Sequence, residues 1–337
     1  MNDTNRQWRL RRRPIGDIQP GDLEFVESPK PVAGPGQILV RTIYLSLDPT
    51  HRIWMSDREQ YMAPVELGDV MRGGVVGVVE QSNHPGLRVG EFVRPATGGW
   101  QDYVVADTAQ RLRVDDTLPL LAHMGVMGST GATAYFGLLD IGKPQPGETV
   151  VVSAAAGAVG SIAGQIAKLK GCRVVGIAGS QQKCRWVVDE LGFDACIDYK
   201  AENVGEALRR ECPKGIDIDF ENVGGEILDA VLARLAMNAR IVLCGLISSY
   251  NASGPVPGPY QFSMILMRRA LVKGFIVSDY AARMKEFYVD MSQWLDQGRI
   301  KWRTDVVDGL ENAATAVNRL FTGANTGKLV VRVGPER

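Results

Sequence analysis

The stretch Thr149-Val-Val-Val-Ser-Ala-Ala-Ala-Gly-Ala-Val-Gly-Ser-Ile-Ala-Gly-Gln-Ile-Ala-Lys-Leu-Lys-Gly-Cys-Arg-Val-Val-Gly-Ile-Ala178 decides how this chain folds. Its first residues are apolar without alternation, the pattern of a strand buried on both faces. A glycine-rich turn follows, then a helical stretch over 160–170, then a second apolar strand over 172–178. Strand, helix and strand in that order form a parallel βαβ unit. The turn Ala155-Ala-Gly-Ala-Val-Gly160 is an A-x-G-x-x-G variant of the dinucleotide fingerprint, with a strand before it and a helix after it. Gly157 would let the backbone approach a pyrophosphate, and Gly160 would let helix and strand pack closely. The helix N-terminus would offer N–H groups and a partial positive charge to the phosphates.

The alternation continues outward from this unit. Helical patterns over 181–191 and 226–235 are interleaved with short strands over 195–197, 216–220 and 240–244. This predicts an α/β fold with a doubly wound parallel sheet of the Rossmann type. Upstream, 37–46, 75–79 and 91–94 are short apolar runs punctuated by Gly and Pro, which predict a β-rich, barrel-like domain. Downstream, a Pro/Gly loop at 255–259 leads to a late strand over 271–277, a helix over 281–297 and a last strand over 327–333. The expected domains are a β-rich part at 1–125, a nucleotide-binding part at 126–300, and a return to the first domain at 301–337.

Composition narrows the function. The 337 residues hold 38 Lys+Arg and 38 Asp+Glu, so no basic footprint for nucleic acid is present. The Arg-rich N-terminus is followed by no apolar core of a signal peptide, and the uncharged run over 149–167 is broken by Ser, Gly and Gln. No membrane span is expected. Five Cys (172, 184, 196, 212, 244) form no C-x-x-C and are odd in number, which points to a reducing, cytoplasmic setting. Cys172, Cys196 and Cys244 sit in apolar strand contexts and read as small hydrophobes. Cys184 and Cys212 sit in more polar stretches open to oxidation. Only three His occur, at 51, 84 and 123, and no cluster has metal-ligand spacing, so no metal is expected.

The end of the second strand selects the nucleotide. NAD binders place a carboxylate about 20 residues past the fingerprint. Here the strand runs into Ala178-Gly-Ser-Gln-Gln-Lys183, with no acid. Ser180 and Lys183 suit a 2′-phosphate, which predicts NADP(H); the alternative is a solvated surface lysine.

With these residues in view, the chain resembles the zinc-independent medium-chain dehydrogenase/reductases, most closely the leukotriene/prostaglandin reductase and 2-alkenal (curcumin-type) double-bond reductase group. The resemblance runs from Leu45-Ser-Leu-Asp-Pro49 to Gly327-Lys-Leu-Val-Val331. It is carried by Val70-Met-Arg-Gly-Gly74, Ala134-Tyr-Phe-Gly137, the fingerprint, Glu221-Asn-Val-Gly-Gly225, Cys244-Gly-Leu-Ile-Ser-Ser-Tyr-Asn251 and Gly323-Ala-Asn-Thr-Gly-Lys328. It implies a GroES-like catalytic domain beside the Rossmann domain. It implies that Gly157, Ala158, Val159 and Gly160 hold the pyrophosphate, that Lys183 and Tyr199 take the 2′-phosphate, and that Asn222 contacts the cofactor. Cys244, Gly245, Leu246, Ile247, Ser248, Ser249 and Tyr250 would form a loop passing the nicotinamide ribose. Phe275, Ile276, Val277 and Asn325 would lie near the nicotinamide. Zinc-dependent relatives carry G-H-E-x-x-G where this chain reads Arg72-Gly-Gly-Val-Val-Gly77, and no Cys precedes Cys172.

Without zinc, substrate polarisation falls to hydrogen bonds. The expected reaction is NADPH-dependent reduction of the C=C bond of an α,β-unsaturated aldehyde or ketone, with hydride delivered to the β-carbon. Tyr250 is the candidate donor to the enolate oxygen, beside the ribose hydroxyl; alternatively it only packs on the ribose. By resemblance Tyr61 borders the substrate pocket, or else it is a surface loop residue. Asp48-Pro-Thr-His-Arg52 departs from the group's usual D-P-Y-M-R, and its His51 is either a proton donor or a solvated loop residue. A metal-free quinone or alcohol/carbonyl reductase, and a binding protein that keeps the nucleotide fold, remain the alternatives. The expected partners are a small enone or enal and a second copy of the chain, paired through the edge run 271–277.

Overall fold

The alternation read in the sequence separates into two units in the computed structural model, which describes residues 3–116 and 118–336. One unit comprises the described residues up to Met124 and those from Thr304 onward; the other is Gly125–Arg303.

The first unit opens with β1 (Thr4–Leu10) paired antiparallel to β2 (Leu23–Pro29), where Trp8 meets Phe25 with ring centroids 4.9 Å apart. Then come β3 (Ile38–Ser46), the single turn α1 (Thr50–Trp54), β4 (Val75–Ser82), β5 (Phe92–Pro95), β6 (Tyr103–Ala106) and β7 (Ala109–Arg111). β3 is the spine of this sheet: it pairs with β4 and β6, and all its side chains but Arg41 are buried. β4 can lie against it because residue 77 is Gly; a Cβ there would sit 2.2 Å from the Arg41 carbonyl oxygen.

The second unit is the βαβ alternation. It contains α2 (Ser129–Phe136), β8 (Thr149–Ser153), α3 (Gly160–Leu169), β9 (Arg173–Ala178), α4 (Gln181–Arg185), β10 (Ala195–Asp198), α5 (Val204–Glu211) and β11 (Ile216–Glu221). These are followed by α6 (Gly225–Leu232), β12 (Leu235–Leu243), α7 (Ile247–Tyr250), α8 (Ser263–Arg268), β13 (Leu271–Gly274) and α9 (Met284–Asp296). The six strands are parallel in the order β10-β9-β8-β11-β12-β13. The order reverses direction between β8 and β11, the switch point whose carboxyl end opens a crevice in such sheets. Every side chain of β8 is buried, as its unbroken apolar run requires. One face of the sheet forms a core of Val151, Val175, Ile177, Ile197, Ile241 and the inner sides of α5 and α6. Each such aliphatic side chain contributes about 1.5–3 kcal/mol by burial.

The chain then returns to the first unit through β14 (Thr304–Asp308) and β15 (Lys328–Arg332). β15 runs parallel to β14 and antiparallel to β3, and its Leu329 and Val331 join the core of Leu45, Leu47, Met71 and Trp100.

Three boundaries differ from the sequence reading. The strand expected over 271–277 stops at Gly274, and the helix expected from 281 starts at Met284 after a 3₁₀ turn, Val277–Arg283. β12 starts at Leu235 rather than 240. Its register against β11 slips before Arg240, where Asn238 takes φ +59°, and this bulge breaks the strand pattern. α4 continues past Arg185 as a wider π-helical turn through Glu190. Among the described residues, no helix is long and apolar enough to cross a membrane.

Candidate active site

The turn after β8 is shaped for a phosphate. Ala154 adopts φ +50°, a left-handed conformation that costs a non-glycine residue on the order of 1 kcal/mol and turns the chain sharply away from the sheet. The turn closes by the Gly157 N–H donating to the Ala154 carbonyl (2.8 Å). A Cβ at Gly160 would lie 2.4 Å from that same oxygen, so only glycine lets α3 start there. Ser161 is the first amide of α3 to find a carbonyl, that of Gly157 at 3.1 Å. The amides of Ala158, Val159 and Gly160 precede it at the helix start, a position at which an anionic acceptor is stabilised.

The carboxyl end of β9 carries the residues read as taking a 2′-phosphate. Ser180 caps α4 by accepting from the Lys183 N–H at 3.3 Å. Tyr199 hangs from the end of β9 through its N–H to the Ala178 carbonyl (3.1 Å), and its ring lies across Gly179. A Cβ on Gly179 would fall 2.9 Å from the phenol oxygen. Ser180, Lys183 and Tyr199 thus stand at two adjoining strand ends, with a hydroxyl, an ammonium and a phenol as donors. That donor set fits a phosphate monoester, and the nearest carboxylate, Asp198 at the end of β10, accepts from the Lys200 N–H at 3.1 Å.

At the switch point a buried carboxylate organises the next loop. Glu221, fully buried at the end of β11, accepts from the Ser153 hydroxyl (2.7 Å), the Gly224 N–H (2.9 Å) and the Val223 N–H. Ser153 Oγ in turn accepts from the Asn222 N–H (2.7 Å). The Asn222 side-chain amide donates to the Ser153 carbonyl (2.8 Å), so it ties the ends of β8 and β11 together. The segment 244–250 hangs on this base. The amides of Cys244 and Gly245 donate to the Glu221 carbonyl (2.9 and 3.0 Å), Ile247 to Asn222 (3.2 Å) and Ser248 to Val223 (3.0 Å). α7 then brings the Tyr250 phenol back over the loop, where it accepts from the Leu246 N–H at 3.1 Å. Burial, aided by the charge of Glu221, pushes the Cys244 thiol up to about 12, so it is no nucleophile at neutral pH. Phe275, Ile276 and Val277 follow the end of β13 in the same sheet.

Sequence reading passed over Glu221 and its neighbour Asp219. The signal was present: Asp217, Asp219 and Glu221 alternate along one face of an otherwise apolar strand. Asp219 is fully buried and lies against Glu221. Burial, and then the charge of Glu221, raise its pKa well above the ordinary range. Burial raises the pKa of Glu221 as well, but the bonds from Val223, Gly224 and Ser153 oppose that rise, so of the two carboxyls Asp219 holds the proton.

Tyr61 and Asn325 belong to the other unit. Tyr61, 48% exposed, has its phenol oxygen held by the Trp54 indole N–H (3.0 Å) and by Thr50 Oγ1 (2.5 Å). Asn325 donates to the Gly327 carbonyl (3.1 Å) in the loop before β15. Lys328, buried, donates to the Leu47 carbonyl and to Asp48 (both 2.7 Å), joining the two ends of the family resemblance. Burial opposes the charge of Asp48, yet Lys328 holds its pKa below the usual carboxylate range. His51 is not a solvated loop residue. It is 0% exposed between Trp54 and Trp100, and burial lowers its pKa to about 4. His123 is also buried, with its Nε2 2.7 Å from the Arg113 carbonyl, so it has the partner that its sequence context did not reveal. At Gly73, where zinc relatives keep a ligand, a Cβ would meet Trp100 and Leu45 at 2.8–2.9 Å. Among the described residues, no group of three or more His, Cys, Asp or Glu could hold a metal ion.

Two family models match the chain: the N-terminal domain of oxidoreductase over residues 6–114 and the zinc-binding dehydrogenase over residues 158–295. The chain is 47% identical to the NADPH-dependent curcumin reductase of Escherichia coli K12 over 341 residues, covering 98% of this chain and 97% of that one. It is 37% identical to prostaglandin reductase 1 of Bos taurus, covering 97% and 98%. The crystal structure of CurA in complex with NADPH from Vibrio vulnificus superposes with a TM-score of 0.93 at 49% identity, over 98% of this chain and 99% of that one. The chain is therefore an oxidoreductase of the medium-chain dehydrogenase/reductase family, in the zinc-independent group of the curcumin and prostaglandin reductases.

Proposed function

We propose that this protein is an NADP(H)-dependent double-bond reductase whose substrates are α,β-unsaturated aldehydes and ketones. One observation carries the reading. The chain matches NADPH-dependent reductases along its whole length, and its segment 244–250 roots a phenol at the carboxyl end of the parallel sheet. The bound nicotinamide supplies the hydride, and the chain's residues supply position and charge stabilisation. Gly157 to Gly160 hold the pyrophosphate at the start of α3. Lys183 and Tyr199 hold the 2′-phosphate. Hydride arriving at the β-carbon moves negative charge to the carbonyl oxygen, and Tyr250 donates to that oxygen. A phenol oxygen that already accepts from the Leu246 N–H is polarised towards donating its own proton. Tyr61, fixed by Trp54 and Thr50, borders the substrate. Turnover of an enone to its saturated ketone, with a quinone and a simple ketone run beside it, tests the reaction. Turnover of the quinone alone would refute it.

Nucleotide choice gives a direct test. Lys183→Ala is expected to raise KM for NADPH by at least tenfold, since a charge-assisted phosphate contact is worth ~1.5–3 kcal/mol. KM for NADH should stay within about twofold, because NADH carries no phosphate there. Equal effects on both nucleotides would remove Lys183 from the site.

We also propose a homodimer. β13 is the edge of its sheet, and Leu271 on it is 52% exposed; Phe262 and Leu266 nearby are 64% and 74% exposed. An open apolar edge strand pairs readily with a copy of itself. Light scattering should give twice the chain mass at micromolar concentration, and Leu271→Lys should shift it towards the monomer. The five unpaired cysteines support a reducing, cytoplasmic compartment.

A further inference from the structure

Two of the five cysteines are not isolated. Cys184 lies on α4 and Cys196 on β10, and their thiols hydrogen-bond to each other. The contact follows from the sheet. Cys196 stands opposite Gly176 of β9 in the parallel register. A Cβ on Gly176 would lie 3.2 Å from Cys196 Sγ and 3.2 Å from Val187 Cγ1, so the missing side chain leaves room for the sulfur beneath the helix. Val187 is one helical turn after Cys184, which puts both on the face turned towards that sulfur. Cys172, Cys212 and Cys244 have no such contact with another thiol.

We propose that Cys184 and Cys196 form a redox-active pair, closed to a disulfide by peroxides and coupled to the grip on the 2′-phosphate. The step balances. The Cys184 thiolate attacks the peroxide O–O bond and becomes a sulfenic acid, releasing an alcohol. Cys196 sulfur then displaces the hydroxyl from Cys184, which leaves as water with the Cys196 proton. Two thiols are oxidised, and one peroxide is reduced to an alcohol and a water. The roles follow from the contact. The bond from Cys196 draws the Cys184 thiol below its ordinary range against the pull of burial, while Cys196 is pushed up as the donor. Access does not set the roles: Cys184 is buried, with 9% of the residue exposed, and Cys196 is half-buried.

The coupling rests on the proposed role of Lys183 and Tyr199. Lys183 immediately precedes Cys184, and Tyr199 follows Cys196 by three residues. A disulfide brings the sulfurs to about 2.05 Å, so the first turn of α4 must move towards β10 by on the order of 1 Å. The Ser180 cap on the Lys183 N–H, already long at 3.3 Å, is the first bond to yield.

The test oxidises the whole protein with hydrogen peroxide and maps it by non-reducing peptide mass spectrometry. The expected result is a 184–196 crosslink, loss of two hydrogens, and a rise of about fivefold in KM for NADPH with KM for NADH unchanged, reversed by dithiothreitol. Cys184→Ser and Cys196→Ser should each abolish the response, and Cys212→Ser should keep it. Cys184 and Cys196 both recovered as free or over-oxidised thiols would overturn the pair. A mapped crosslink without a change in NADPH kinetics would overturn the coupling. Lys183→Ala separates this from the site reading: if that variant leaves NADPH kinetics intact, the 2′-phosphate assignment fails on its own.

Discussion

Tyr250→Phe is expected to lower kcat/KM for an enone by about 10²-fold, the usual cost of removing one donor to a developing oxyanion. KM for NADPH should move little, because the segment 244–250 is held by backbone bonds to Glu221, Asn222 and Val223 and not by the phenol alone. The Leu246 N–H does lose its acceptor, a cost of about 1 kcal/mol at a partly exposed position. A thermal melt therefore belongs beside the kinetics. A melting point within a few degrees of wild type, with a hundredfold loss in turnover, places the phenol at the reacting oxygen. If kcat/KM is unchanged in the Phe variant, Tyr250 packs on the cofactor and the enolate is stabilised by other donors.

The βαβ unit was legible because its information is local. An apolar run without alternation, a glycine turn and a helix pattern lie within thirty residues, and each needs the next to bury itself. What lay hidden was long-range or masked by irregular backbone. The bulge at Asn238 broke the β12 pattern. Cys184 and Cys196 looked like two unrelated thiols, one polar and one apolar in context, because only the packing of α4 on β10 brings them together. His51 read as a loop residue, since nothing local says that Trp54 and Trp100 enclose it. Asn222 was read as a cofactor contact, and the structure adds that its amide ties β8 to β11. The fold was thus written in periodicity. The support of the site was written in pairs of residues that sequence spacing does not connect.

The buried pair Asp219 and Glu221 should dominate the stability of the nucleotide-binding unit. Glu221→Ala leaves the Ser153 hydroxyl and the amides of Val223 and Gly224 buried without their acceptor. At about 1–2 kcal/mol each, the loss is about 4 kcal/mol and roughly 10 °C in melting temperature. Loss of NADPH binding should accompany it, since the loop bearing Tyr250 hangs on the same residues. Asp219→Asn should behave in the opposite way. The folded protein holds the Asp219 proton while the unfolded chain releases it above about pH 4. The unfolded state then binds fewer protons than the folded one, so wild-type stability falls as pH rises towards the folded pKa, by up to ~1.4 kcal/mol per pH unit. Asparagine keeps the shape and an N–H to offer Glu221, and it has no proton to lose. The variant should therefore gain on wild type as urea unfolding is moved from pH 5 to pH 8. A difference that stays constant with pH would mean that Asp219 is ionised in the fold, and the assignment of charge to Glu221 would be reversed.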